Sequence, residues 1–203
     1  MVAGAVHWGL TGFWLLAAIN WGAAAWHARR LEYLAKPAAL ATLTAWAFAS
    51  GAPGLLVVGL VCSLAGDVFL MLPGDLFLAG LGSFLAADLA YLVVLTAPLA
   101  HRAFWAVGLL VATAPLQRRI LGAVRYPALR AACAVYMLAL VAMTGSALAA
   151  GPLAVGVGGL LFLLSDTLLA WNRFVRPWSW AHTAVMITYH LGQFGLAWGI
   201  TQG

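Results

Sequence analysis

Residues 152–171, PLAVGVGGLLFLLSDTLLAW, run for twenty positions with a single charged side chain, Asp166. At 1.5 Å of rise per residue, a helix of this length covers about 30 Å, the thickness of a bilayer's hydrocarbon core. The rest of the chain is built the same way. Of its 203 residues 65% are apolar and 7% charged, where a soluble domain has roughly 45–50% and about 25%. So few charges cannot cover a water-facing surface, which excludes a soluble enzyme and a disordered chain. The net charge of +5 is no nucleic-acid footprint either, because the basic residues fall in short connectors between apolar runs.

Cutting at charges, prolines and glycine clusters gives eight candidate spans, at about 4–26, 37–51, 54–72, 75–96, 102–117, 127–149, 152–171 and 179–200. The expected fold is all-α: a polytopic membrane protein of eight transmembrane helices, with residues 1–203 as a single transmembrane domain. No basic residue precedes the first apolar run, so no cleavable signal is expected. Cys62 and Cys133 lie inside apolar runs and read as small buried hydrophobes. Trp26, Trp105, Trp171, Trp178, Trp180 and Trp198 fall at helix ends, as an interfacial belt requires.

Nine of the ten Lys and Arg residues fall in odd-numbered connectors; the exception is Arg102. By the positive-inside rule those connectors face the cytoplasm of a cell-membrane protein and both termini lie outside. CSLAGDVFLML (62–72) and LFLLSDTLLAW (161–171) close helices 3 and 7, and each is followed by a further helix with a Tyr, 24 residues after Asp67 and 23 after Asp166. This spacing suggests a parallel four-plus-four helix pseudo-repeat.

An ionisable residue at membrane depth costs at least about 2.5–3.5 kcal/mol by insertion scales, so each needs a reason. Asp67 and Asp166 each sit five residues from a helix end, about 7–8 Å below the cytoplasmic boundary. Two carboxylates at matched depth can face one cavity; each can also be a structural Asp bonded to backbone or to an Arg. Asn20, Lys36, Asn172, Arg173 and His182 gather at the same end. Lys36 and Arg173 suit an anionic headgroup, by charge and by a bidentate fork. Deeper lie Asp88 and His190, both about 17–20 Å from that face, flanked by Tyr91, Tyr189 and Gln193. His7, His27 and His101 look peripheral.

KP at 36–37, SLAGDVFLM at 63–71, YMLALVAM at 136–143, GLLFLLSDTLLAWNRF at 159–174 and TYHLGQ at 188–193 resemble the YhhN-like family of integral membrane lysoplasmalogenases. The resemblance extends over nearly the whole chain, and its second acidic motif is the most specific part. It implies an eight-helix hydrolase that cleaves the vinyl ether bond of lysoplasmalogens. The products would be a fatty aldehyde and glycerophosphoethanolamine or glycerophosphocholine, with no metal or other cofactor. Residue by residue it implicates Lys36, Asp67, Asp166, Asn172, Arg173, Tyr189 and Gln193. The chain departs from the family at two places: Asp88 stands where the family usually has His, and His190 where it has an aromatic.

The chemistry suits two acids. A vinyl ether is protonated at carbon, the oxocarbenium ion adds water, and the hemiacetal falls apart. One neutral carboxylic acid must donate the proton, and one carboxylate must steady the cation and activate water. With Arg173 two turns away, Asp166 is expected to be the carboxylate. A single-chain lipid is expected to enter a cavity walled by helices 3, 4, 7 and 8 and open to the cytoplasmic leaflet. Its headgroup would lie near Lys36 and Arg173 and its tail toward the bilayer midplane. Asp88 and His190 are expected to form a hydrogen-bonded pair that exchanges the family's usual positions. Two rival readings use the same residues: a transporter or binding protein for lipids or small solutes, and a metal site drawing on Asp67, Asp166, His182 or His190.

Overall fold

The computed structural model describes residues 2–202, with side chains from residue 9 onward, so the side chain of His7 lies outside the described residues. Among them are eight α-helices and no strand: α1 (Val2–Ala25), α2 (Arg29–Ala49), α3 (Gly54–Met71), α4 (Phe77–Val94), α5 (Leu99–Ala123), α6 (Pro127–Ala149), α7 (Leu153–Phe174) and α8 (Ala181–Gln202). Five of them, α3 to α7, are long and apolar enough to cross a membrane, and α1 holds a shorter apolar stretch over Gly9–Ala25. The chain is a multi-pass membrane protein.

The stops follow local chemistry. Gly51 and Gly151 take positive φ (74° and 106°) just past α2 and α6, the left-handed conformation that glycine adopts at no steric cost. Pro53, Pro98 and Pro152 stand directly before α3, α5 and α7, where a missing N–H removes nothing a helix needs.

Two helices outrun the sequence expectation. α2 begins at Arg29 rather than near Pro37, and α5 continues to Ala123 past Arg118 and Arg119. Charges mark where the hydrocarbon ends, but arginine is a good helix former and the backbone keeps its bonds beyond that boundary. Lys36 is therefore a helical residue with a fixed direction, not part of a loop, and Pro37 lies inside α2.

Consecutive helices pack as hairpins: α1 with α2, α3 with α4, α5 with α6 and α7 with α8. The hairpins close on one another through α2–α3, α4–α6, α6–α7 and α8 against both α1 and α2. α5 stands at the periphery, with Ile120 its one buried residue among those described. The core joins Phe13, Leu40, Leu43, Trp46, Leu60, Tyr91, Phe162 and Leu196, all essentially inaccessible.

Between apolar helices in lipid there is little hydrophobic driving force, so close packing of small residues takes over. α7 and α8 meet backbone to backbone along Gly158, Gly192 and Gly195. A Cβ on Gly158 would stand 2.6 Å from the Leu196 nitrogen, and one on Gly192 would stand 2.8 Å from the Phe162 nitrogen. Below this seam Ser165 donates to the Val185 carbonyl at 3.1 Å, which fixes the register of Asp166 against α8. Gly158→Ala should therefore destabilise the protein by about 1–3 kcal/mol through overpacking. Thermal unfolding in detergent would read this as a lowered midpoint. Gly108→Ala on α5, where a Cβ meets nothing within 4 Å, should leave the midpoint unchanged.

Candidate functional site

A cavity of about 550 Å³ opens at the end of the bundle where the odd-numbered connectors lie. Its walls come from α2, α3, α7 and α8, with Phe84 as the contribution of α4. The expected wall set thus gains α2 and nearly loses α4. The reason is the early start of α2, which carries Arg29, Glu32, Tyr33 and Lys36 down one face at helical spacing.

At the mouth His182 lies 2.5 Å from a Glu32 carboxylate oxygen, and the Tyr33 hydroxyl donates to the Met71 carbonyl at 2.5 Å. These contacts fasten α2 to α8 and to the end of α3. Deeper, Lys36 Nζ stands 3.0 Å from Asp67 Oδ1, with both side chains at most 6% exposed. Tyr189 donates its hydroxyl to Asp67 Oδ2 at 2.7 Å. Asp67 is thus a carboxylate with one oxygen on an ammonium and the other on a phenol.

Asp166 lines the same cavity from α7, so the two depth-matched Asp do face one space. Its partner is the hydroxyl of Tyr136 on α6, which donates to Asp166 Oδ2. Arg173, expected to support Asp166, does not reach it. Seven residues of helix carry Arg173 about 10 Å further along the same face, where it pairs with Asp75 at 2.6 Å and lies 4.1 Å over the Phe77 ring. Asn172 accepts from the Trp178 backbone N–H at 2.8 Å and holds the α7–α8 turn. Neither Asn172 nor Arg173 lines the cavity.

The deeper polar layer lies behind the cavity wall. Tyr91 donates to Gln193 Oε1 at 2.8 Å and stands 3.5 Å from Ser63. His190 accepts at Nδ1 from the Trp21 indole at 3.1 Å and packs edge-on against Phe13. The expected Asp88–His190 pair does not form. His190 is turned toward α1, whereas Asp88 lies within electrostatic reach of Asp166 and Tyr136 on the α7–α6 side. Both Asp88 oxygens and both polar atoms of the Asn20 amide are buried without a hydrogen-bond partner. Among the described residues no three His, Cys, Asp or Glu side chains converge on a common point.

Sequence reasoning passed over Tyr136 and Glu32. Tyr136 opens the YMLALVAM motif, and a phenol at that depth needs a partner; Glu32 was hidden by its place in a presumed connector.

The model of the YhhN family matches residues 31–200, from the mouth of the cavity to the last turn of α8. The chain belongs to the YhhN family. Among its relatives, lysoplasmalogenase TMEM86B of Sus scrofa is 38% identical over 157 residues, covering 70% of this chain and 62% of the relative. Lysoplasmalogenase TMEM86B of Homo sapiens is 35% identical over 150 residues, 68% of this chain and 60% of the relative. The Rattus norvegicus protein of that name is 32% identical over 174 residues, 78% and 67% respectively. This family member's matched region thus spans about three fifths of the length of the first two relatives. No solved structure matches it.

Removing one partner of a buried ion pair leaves an uncompensated charge, at a cost of about 3–5 kcal/mol. Lys36→Met should therefore lower the unfolding midpoint sharply in detergent. Adding Asp67→Asn to it should restore most of the loss, and a double-mutant cycle on thermal stability measures the coupling directly.

Proposed function

We propose that this chain is a lysoplasmalogenase: it hydrolyses the vinyl ether of lysoplasmalogens to a fatty aldehyde and a glycerophospho-alcohol, glycerophosphoethanolamine or glycerophosphocholine. The observation that carries the reading is the unlike dressing of two carboxylates on one cavity. Asp67 is neutralised by Lys36, while Asp166 has a phenol for its partner.

That contrast supports Asp67 as the anion and Asp166 as the acid, the reverse of the assignment drawn from Arg173. The Lys36 ammonium already balances a negative Asp67, whereas a charged Asp166 would have no cation in ion-pair contact among the described residues. Asp166 gives its proton to the vinyl carbon distal to the ether oxygen, leaving an oxocarbenium ion whose positive charge faces the Asp67 carboxylate. Asp67 takes a proton from the attacking water as the C–O bond of the hemiacetal forms. In collapse, the hemiacetal hydroxyl returns its proton to Asp166 and the departing glycerol oxygen takes the one on Asp67. Both acids end as they began, and the only co-reactant is water. Tyr189 and Tyr136 hold the two carboxylates in direction, and Lys36 holds the charge of one.

The orientation belongs to the same proposal. The eight helices all span, both termini lie outside, and the cavity opens to the cytoplasmic leaflet, as the nine-to-one bias of Lys and Arg supports. The four-plus-four relation is supported by α3 and α7 each delivering an Asp to one cavity. His27, Arg29 and Glu32 at the mouth offer both signs of charge to a zwitterionic headgroup. Asn172 and Arg173 serve this site indirectly, by bracing the end of α7. Against a transporter stands the confinement of the polar cavity to one end of the bundle.

Purified protein incubated with lysoplasmalogen should release free aldehyde, and should release none from the saturated ether analogue, which has no vinyl carbon to protonate. Asp166→Asn, and Asp67→Asn made together with Lys36→Met so that no buried charge is left alone, should each lower the rate by on the order of 100-fold or more while remaining folded. Wild-type rates in either variant would overturn the mechanism.

A further inference from the structure

Asp166 and Phe84 look onto two spaces. One is the polar cavity; the other is a slot between α4, α5, α6 and α7. The cavity has a volume of about 550 Å³ and the slot about 50 Å³. The slot is therefore narrow, and it is apolar: Leu81, Leu116, Met137, Leu140 and Leu163 make its body. Most of its polar side chains are turned on themselves. Thr113 donates to the Leu109 carbonyl at 2.7 Å, Gln117 donates to Thr113 at 2.7 Å, and Tyr136 is bonded to Asp166. Along α7 the lining runs from Leu163 to Phe174, about 16 Å on helical rise.

We infer that this slot binds the hydrocarbon chain of the substrate, entered past Phe84 and Asp166. The inference rests on the reading of the cavity as a lysoplasmalogen site and adds to it where the chain goes. Three observations join. The slot adjoins the cavity across Leu70, Phe84, Asp166 and Leu169, which line both. The covalent order of the substrate is headgroup, glycerol, ether oxygen, first vinyl carbon, second vinyl carbon, chain. The order of the site is mouth charges, Lys36 with Asp67, Asp166, slot. Threading one onto the other brings the acid to the second vinyl carbon, which is the atom that must be protonated, and leaves the chain pointing into the slot. Finally, the slot's outer cover is α5, which carries Pro115 within the helix and a single buried residue. Such a cover can yield to a methylene chain as Met137, unbranched and flexible, reshapes the interior. The chain then lies among α4 to α7, not free toward the midplane.

Two measurements test this. Leu116→Trp and Met137→Trp fill the slot without touching the carboxylates. Each should lower kcat/KM for long-chain lysoplasmalogen by about 10–100-fold, a magnitude expected when a few methylenes lose their pocket. The rate on a short-chain substrate with the same headgroup should stay within about threefold of wild type. Val111→Trp, on the exposed side of α5, should change neither. Equal losses on both chain lengths, or no loss on either, would overturn the inference. The second measurement does not need turnover. A saturated ether lysophospholipid with a diazirine at the chain terminus should label slot residues on α5 and α6 in the wild-type protein, and Leu116→Trp should suppress that label. Labelling confined to α1, α2 or the outer belt would overturn the slot. Slot labelling without aldehyde release from any vinyl ether would overturn the proposed reaction and leave the chain site standing.

Discussion

The ion pair between Lys36 and Asp67, 3.0 Å apart and almost wholly buried, is the contact on which the rest of the site depends. Neither charge is tolerable alone at this depth, so helices α2 and α3 must meet where these two residues meet. Tyr189 then binds the second oxygen of Asp67 and brings α8 to the same point. Because α8 is locked to α7 along the glycine seam, Asp166 arrives on another wall of the same cavity with no freedom of its own. A single neutralised carboxylate thus positions four helices, and the cavity is the space they cannot fill. The arrangement also separates the two Asp chemically while keeping them on one cavity, since only one of them has a cation.

The fold was legible in the sequence to the extent that hydrocarbon thickness writes itself into apolar runs. α3 and α6 follow their expected limits closely, since Pro127 and the Gly-Pro breaks are backbone constraints that need no tertiary context. α2 and α5 were misjudged because charge marks the membrane boundary and not the helix end. The site was legible as a list of buried ionisable residues, because such residues need compensation wherever they lie. It was not legible as a set of pairs. Whether Asp166 meets Arg173 or Tyr136 is decided by the packing of α6 on α7, and whether His190 meets Asp88 or Trp21 by the rotation of α8 toward α1. Glu32 escaped notice because a connector charge carries no signal until the helix is seen to include it.

Nothing in the sequence announced that the interior divides into a chamber lined by charges and an apolar slot. That division arises where α4, α6 and α7 diverge around Phe84, whose ring packs edge-on to Tyr189 at 6.0 Å. Phe84 thereby touches the ring that holds Asp67 while it borders the space that Asp166 borders. Packing between aromatic rings, not charge, draws the line between the two.

The early start of α2 has an evolutionary consequence. Arg29, Glu32, Tyr33 and Lys36 stand at i, i+3, i+4 and i+7 and all look into the chamber. The spacing is what makes one helix serve as rim and neutralising charge at once. Gaining or losing one residue between Glu32 and Lys36 would swing the upper set by about 100° relative to the lower. The rim would then face lipid, or Lys36 would leave Asp67. This segment can therefore diversify by exchange of side chains at fixed length, and its mouth can be retuned one residue at a time. The turn before it, at His27 and Ala28, is free of that restriction, because any change in length there is absorbed outside the register that α2 must keep.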